Sequence, residues 1–246
     1  MTSKYIDSAR SIVLVVSTMV LVFASRHAAA EVLEKSKNVA GVTAHYKVVL
    51  PNHYDAAKSY PAVLAFGGGA QTMNIVDGAI QRNWRAEAER RGYIVVIPAA
   101  PDGQLFFEGG ERIFPEFLTK ILADYQIAAN KFHIAGQSNG GISAFHVAAS
   151  YPQYFWSVTG FPGYLPDATP ARVGALAKMC INMHVGELDA GWKEQMEQQA
   201  AQFRARGMTV RITVEMGQSH RLDTLAGDGA ARLFNQFDEA HAGCAK

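Results

Sequence analysis

The stretch Lys131-Phe132-His133-Ile134-Ala135-Gly136-Gln137-Ser138-Asn139-Gly140 decides the fold class, together with the helix-like run from Gly141 to Ser150 that follows it. Its first five residues form an apolar run of strand length, and its last five a sharp turn with a serine at the centre. Small residues two before and two after Ser138 let the backbone turn tightly enough to lift the hydroxyl clear of a sheet edge. The same turn aims the amide of Asn139 and the helix N-terminus at any negative charge that forms beside Ser138. Because Gly-x-Ser-x-Gly arises by chance in about one chain in ten of this composition, the surroundings have to carry the reading.

Hydrophobic residues make up 49% of the 246 and charged ones 18%, which suits a domain with a sizeable core. The N-terminus stands apart. Lys4 and Arg10 precede an apolar run from Ile12 to Phe23, and Ala28-Ala29-Ala30 follows before Glu31. This is the pattern of a secretory signal peptide over residues 1–30, cut after Ala30. The apolar run is interrupted by Ser17 and Thr18 and is shorter than the roughly 20 residues a bilayer span needs. The expected location is therefore periplasmic or extracellular, with residues 31–246 as the working domain.

Without its leader the chain keeps 20 basic and 21 acidic residues and is nearly neutral. No basic stripe or acidic block recruits nucleic acid or an anionic membrane, so the expected partner is a small molecule. Cys180 and Cys244 are the only cysteines. In an oxidising compartment they could pair; the alternative is a buried thiol at Cys180 and a loose one at the tail. No His-x-x-x-His or Cys-x-x-Cys spacing and no Gly-Lys-Ser/Thr ending to the glycine loop suggests a metal or phosphate site, so no cofactor is expected.

Strand-like runs occur at 45–50, 62–66, 93–98, 132–135, 155–159, 180–185 and 210–215, with helical patterns at 83–91, 114–125, 141–150, 191–206 and 222–241. Continuous apolar strands alternating with helices predict a single-domain α/β fold, its mostly parallel sheet covered on both faces. Such sheets bind ligands beyond the carboxyl ends of their strands. The run 62–66 ends in Gly67-Gly68-Gly69, whose bare backbone could bring amides to a substrate. The run 180–185 ends in Gly186-Glu187-Leu188-Asp189, and the run 210–215 in Met216-Gly217-Gln218-Ser219-His220. A serine, a carboxylate, a histidine and a donor loop thus fall at the same edge of the expected sheet.

These motifs resemble those of the α/β hydrolase superfamily over nearly the whole mature chain. Within it, the chain is similar to small secreted esterases: feruloyl esterases, polyhydroxybutyrate depolymerases and dienelactone hydrolase-like proteins. The resemblance implies Ser138 as nucleophile, Asp189 as triad acid and His220 as base, with the amides of Asn139 and of Gly68 or Gly69 as oxyanion donors. One departure is that Phe66-Gly67-Gly68-Gly69 lacks the His-Gly often found in the esterase oxyanion loop, which leaves open which glycine donates. Asp189 could instead cap the helix that follows, leaving the acid role to Glu187. His133 and His184 lie inside strands and read as packed core residues.

The implied activity is cleavage of a short-chain or aromatic ester by a serine hydrolase; a peptidase on the same fold and a non-catalytic binding protein are the alternatives. Phe106, Phe107, Phe161, Tyr164 and Trp192 follow strands and could line an acyl or aromatic pocket. The segment 101–112 could form a mobile flap. No insertion is long enough for a separate lid domain.

Overall fold

The computed structural model describes residues 31–243. The expected leader and Cys244 lie outside the described residues. Eight strands form one sheet: β1 (Val32–Val39), β2 (Val42–Val49), β3 (Tyr60–Phe66), β4 (Ile94–Pro98), β5 (Ile127–Gly136), β6 (Phe155–Gly160), β7 (Cys180–Gly186) and β8 (Val210–Glu215), in the spatial order β1-β2-β4-β3-β5-β6-β7-β8. Strands β3 to β8 are mutually parallel, while β1 and β2 form an antiparallel edge joined through β2 to β4.

The alternation along the central strands explains why they read as continuous apolar runs. Ala62, Leu64 and Phe66 of β3 face one core with Ile94 and Val96 of β4, whereas Val63, Ala65, Val95 and Ile97 face the other. The first layer is completed by α3 (Phe114–Asp124), α4 (Asn139–Ser150) and α6 (Ala190–Ala205), through Phe117, Phe145 and Phe203. The second rests on Trp84 and on Phe234 and Phe237 of the last helix, packed edge-on or stacked with ring centroids 5.4 to 6.5 Å apart. With both faces covered, the carboxyl edge of the sheet is where a ligand can approach.

Several elements differ from expectation for identifiable reasons. The strand β1 is absent from the sequence reading because Glu34, Lys35, Ser36 and Lys37 interrupt its apolar pattern. It is held by full pairing with β2 and by the Lys37–Asp124 ion pair at 2.8 Å. The helix expected at 83–91 begins ten residues earlier, as α1 (Met73–Ala79), a π-helical turn Ile80–Trp84 and α2 (Arg85–Arg91). Asn74, Asp77 and Gly78 weaken the local helical signal, and burial of Val76, Ile80 and Trp84 on the sheet overrides it. At the other end, the expected helix 222–241 is broken into two 3₁₀ turns, Asp223–Leu225 and Gly227–Ala230, before the continuous helix α7 (Ala231–His241). Gly227 lies at φ +53°, which is incompatible with a continuous helix. A short helix α5 (Pro170–Ala175), N-capped by the Thr169 hydroxyl, was not expected.

No helix among the described residues is long and apolar enough to cross a membrane. Cys180 is buried at the start of β7 and is not a free thiol.

Candidate active site

Ser138 occupies the turn between β5 and α4 with φ +56° and ψ −123°, backbone geometry that a non-glycine residue adopts only under strain. Three close approaches hold it there. The Ser138 amide donates to the Pro162 carbonyl at 2.8 Å, and Gly140 packs so tightly that a Cβ would sit 2.5 Å from the Phe66 carbonyl oxygen. At Gly136 a Cβ would overlap the Gly140 carbonyl. The expected role of the flanking glycines is therefore seen as backbone-to-backbone contact on both sides of the serine.

The carboxyl ends of β7 and β8 bring Asp189 and His220 to this turn. His220 Nδ1–H donates to Asp189 Oδ2 at 2.7 Å, which leaves Nε2 to accept from the Ser138 hydroxyl at 2.8 Å. Asp189 does stand at the position preceding α6, but its side chain makes no bond to the helix and turns to His220 instead. Glu187 points elsewhere and accepts from the Gly217 amide at 2.8 Å, bracing the loop that carries His220. The Trp192 ring stands edge-on to the imidazole with centroids 4.9 Å apart and is itself packed against Tyr164 at 5.1 Å.

The glycine loop lies alongside. A Cβ on Gly68 would be 3.6 Å from Ser138 Cβ, and Gly69 lies at φ +53°. The side-chain amide of Asn139 donates to the Gly69 carbonyl at 3.0 Å and clamps this loop to the nucleophile turn. Of the first-turn amides of α4, that of Gly140 already donates to the Gln137 carbonyl at 2.8 Å and that of Ile142 to the Ser138 carbonyl at 2.9 Å, so the Asn139 amide is the helix N-terminal donor next to Ser138.

A cavity of about 400 Å³ opens beside Ser138 and His220. Of the aromatic residues expected to line a pocket, Phe161 does. Phe106 does not: it is fully buried, packed on Phe66 and Phe114 with centroids 5.1 Å away in each case. Its amide donates to the Gln71 side chain at 3.3 Å, which pins the segment expected to be a flap. Phe107 is half-buried and lies outside the cavity lining, while Tyr164 and Trp192 back the histidine rather than the cavity. The walls the sequence reading missed are Ile75, Arg82, Asn83 and Trp84, from the unexpected α1 and π-helical turn, and Arg221 next to His220.

His133 and His184 are buried, as expected. His133 bonds Ser157 Oγ at 2.8 Å, and burial pushes its pKa down to about 3. His184 donates to Glu215 at the end of β8, a carboxylate that also accepts from Thr224 and from both terminal nitrogens of Arg232. Burial would raise the pKa of Glu215, but hydrogen bonds from His184, Arg232 and Thr224 outweigh it and bring the carboxyl down to about 2. A folded pKa below the unfolded value means that the carboxylate stabilises fully above about pH 4.5, and that this contribution fades as pH falls toward 2. Its size by linkage is on the order of 3 kcal/mol. Denaturant titrations across that window should therefore show a steep acid loss of stability in the wild type and a shallower one, from a lower neutral-pH value, in Glu215→Gln. Equal slopes would mean that other carboxylates govern acid unfolding.

A family model described as "Putative esterase" matches residues 38–240. No curated protein matches the chain by sequence. Among solved structures, a dienelactone hydrolase from Anabaena variabilis superposes with a TM-score of 0.66 at 16% identity, covering 87% of this chain and 98% of that one. A ferulic acid esterase gives 0.64 at 16% identity, covering 86% of this chain and 97% of its own. A thermostable esterase gives 0.65 at 18% identity; this chain spans only 61% of that protein's length. At such identities the likeness is one of fold, here the α/β hydrolase fold.

Proposed function

The chain belongs to the esterase family, and we propose that it hydrolyses a carboxylic ester through Ser138, His220 and Asp189 by way of an acyl-enzyme. The observation that carries this reading is the continuous hydrogen-bonded line from Ser138 Oγ through both imidazole nitrogens to Asp189 Oδ2, at 2.8 and 2.7 Å. A hydroxyl is a weak nucleophile until a base accepts its proton. His220 Nε2 takes that proton as Oγ attacks the ester carbonyl, and Asp189 holds the ring in the required tautomer and stabilises the imidazolium. The tetrahedral oxyanion would lie between the Asn139 amide and the Gly68-Gly69 loop, where fixed donors act without reorganisation. His220 then hands the proton to the leaving alcohol, and water repeats the sequence on the acyl-enzyme.

The cavity volume and its Ile75 wall, backed by the buried rings of Trp84 and Phe161, support a short-chain or aromatic ester rather than a long lipid. The names of two structural neighbours, a ferulic acid esterase and a dienelactone hydrolase, agree with small esters of this kind. The leader-like composition of residues 1–30 supports export to the periplasm or the extracellular space.

A fluorophosphonate probe tests mechanism and processing together. Intact and peptide mass spectrometry of the labelled, exported protein is expected to find one adduct, on Ser138, in a chain that begins at Glu31. A folded protein that takes no label would remove the serine-hydrolase reading, and a retained leader would remove the export reading.

A further inference from the structure

We propose that the ester cleaved at Ser138 carries a carboxylate, recognised by Arg82 and Arg221 at the rim of the cavity; this rests on the ester-hydrolase reading and narrows its substrate class. The cavity has two kinds of wall. Ile75 presents apolar surface, with the buried rings of Trp84 and Phe161 behind it, while Arg82 and Arg221 are the arginines of the lining, and among the described residues no aspartate or glutamate lines it. A neutral apolar ester has no use for two cations there, whereas an anionic one gains charge-assisted, bidentate hydrogen bonds from them.

The placement of Arg82 is built into the fold. It sits on the π-helical turn Ile80–Trp84, a rare backbone form that is enriched at functional sites. Its side chain is only 19% exposed. Next to it, the Asn83 side-chain amide donates to the Leu225 carbonyl at 2.7 Å, fixing the turn against the segment that follows His220. That segment is also braced by the Asp223 amide, which donates to the Gln218 side chain at 2.9 Å.

The charged groups around the rim are Arg82, Arg221 and Asp223, with the Asp189 carboxylate on the far side of the His220 imidazole. Asp223 Oδ1 lies 2.5 Å from Arg82 Nη2 and 3.6 Å from Arg221 Nε, so one carboxylate oxygen serves two arginines. The rim keeps a net positive charge from these three side chains. Asp223 is 72% exposed and is not part of the cavity lining, and a substrate carboxylate could share or replace it at small cost.

A duller role for Arg82 is that of a strap to the His220 loop through Asp223. The two roles separate in the ratio of kcat/KM for an anionic ester to kcat/KM for its neutral counterpart. Two pairs of substrates place the charge on either side of the scissile bond: 4-nitrophenyl hemisuccinate against 4-nitrophenyl butyrate for the acyl side, and 4-carboxyphenyl acetate against phenyl acetate for the alcohol side. Wild type, Arg82→Gln, Arg221→Gln and Asp223→Asn are compared at low ionic strength. In at least one pair, the anionic-to-neutral ratio should fall about tenfold in Arg82→Gln, fall by less in the more exposed Arg221→Gln, and rise a few-fold in Asp223→Asn, where the competing carboxylate is gone. Added salt should compress the wild-type ratio.

A strap alone would make Arg82→Gln and Asp223→Asn behave alike and leave both ratios unmoved, which overturns the proposal. Turnover of the neutral esters with ratios insensitive to both arginines overturns it while leaving the ester-hydrolase reading intact. Absence of turnover of all four esters, with no fluorophosphonate label, removes that reading and this inference with it.

Discussion

Ser138→Ala is expected to lower kcat on a small chromogenic ester by about 10⁴-fold to 10⁶-fold, with KM little changed and the fold intact. The size follows from the role proposed for the hydroxyl: without Oγ the proposed acyl-enzyme cannot form, and only the proposed oxyanion donors and the binding cavity are left to assist water. The substitution removes one oxygen from a half-buried position and keeps a Cβ where one already stood, so its effect on folding should be small. Steady-state kinetics beside circular dichroism and a thermal melt separate the two effects. Asp189→Asn provides a graded control, since it should favour the wrong imidazole tautomer and cost about 10⁴-fold. A Ser138→Ala protein that kept more than a small fraction of its activity would mean that another group attacks the ester.

Gly140→Ala is expected to destabilise the protein by about 3 kcal/mol or more, the largest stability effect of any single methyl group proposed for this chain. The new Cβ would lie 2.5 Å from the Phe66 carbonyl oxygen and would overlap the Gly67 carbonyl, both of them main-chain groups that cannot swing aside. Relief requires α4 to move away from the end of β3. That movement would also separate the Asn139 amide from the glycine loop, so activity should fall further than the lost stability explains. For a domain of this size the loss corresponds to a drop in Tm on the order of 10 °C. Gly174→Ala in α5, where nothing lies within 4 Å of the new Cβ, should change stability by less than about 1 kcal/mol. Similar melting temperatures for the two variants would show that the approach of α4 to β3 is looser than described.

These effects trace back to residues whose placement could be read from the chain. Ser138, Asp189 and His220 were legible because a parallel sheet puts every strand's carboxyl end on one edge, so chain order alone predicts convergence. Asp189 is preferred to Glu187 through the family resemblance and not through position, because both follow β7 within three residues; in the structure Asp189 meets the imidazole and Glu187 the Gly217 amide. The pocket was read poorly for a physical reason. Phe106 and Phe161 are alike in sequence, each an aromatic residue in a loop after a strand, and both are buried, yet only Phe161 lies in the wall of the cavity. The cationic wall was hidden because Arg82 falls just before the helix expected at 83–91 and looks like an ordinary solvated residue, whereas the π-helical turn brings it to the cavity. The strand β1 was hidden because its stability comes from pairing rather than from apolar content.

The left-handed backbone of Ser138 sets reactivity and durability against each other. A glycine would rest at φ +56° without steric penalty, whereas serine stays there at a cost on the order of 1 kcal/mol or more, met by the surrounding contacts. The chain would thus gain stability by giving up the side chain proposed to do its chemistry. Selection for thermal robustness alone would push this position toward glycine and silence the enzyme, so any scheme to harden the protein has to hold this residue fixed and seek its gains elsewhere.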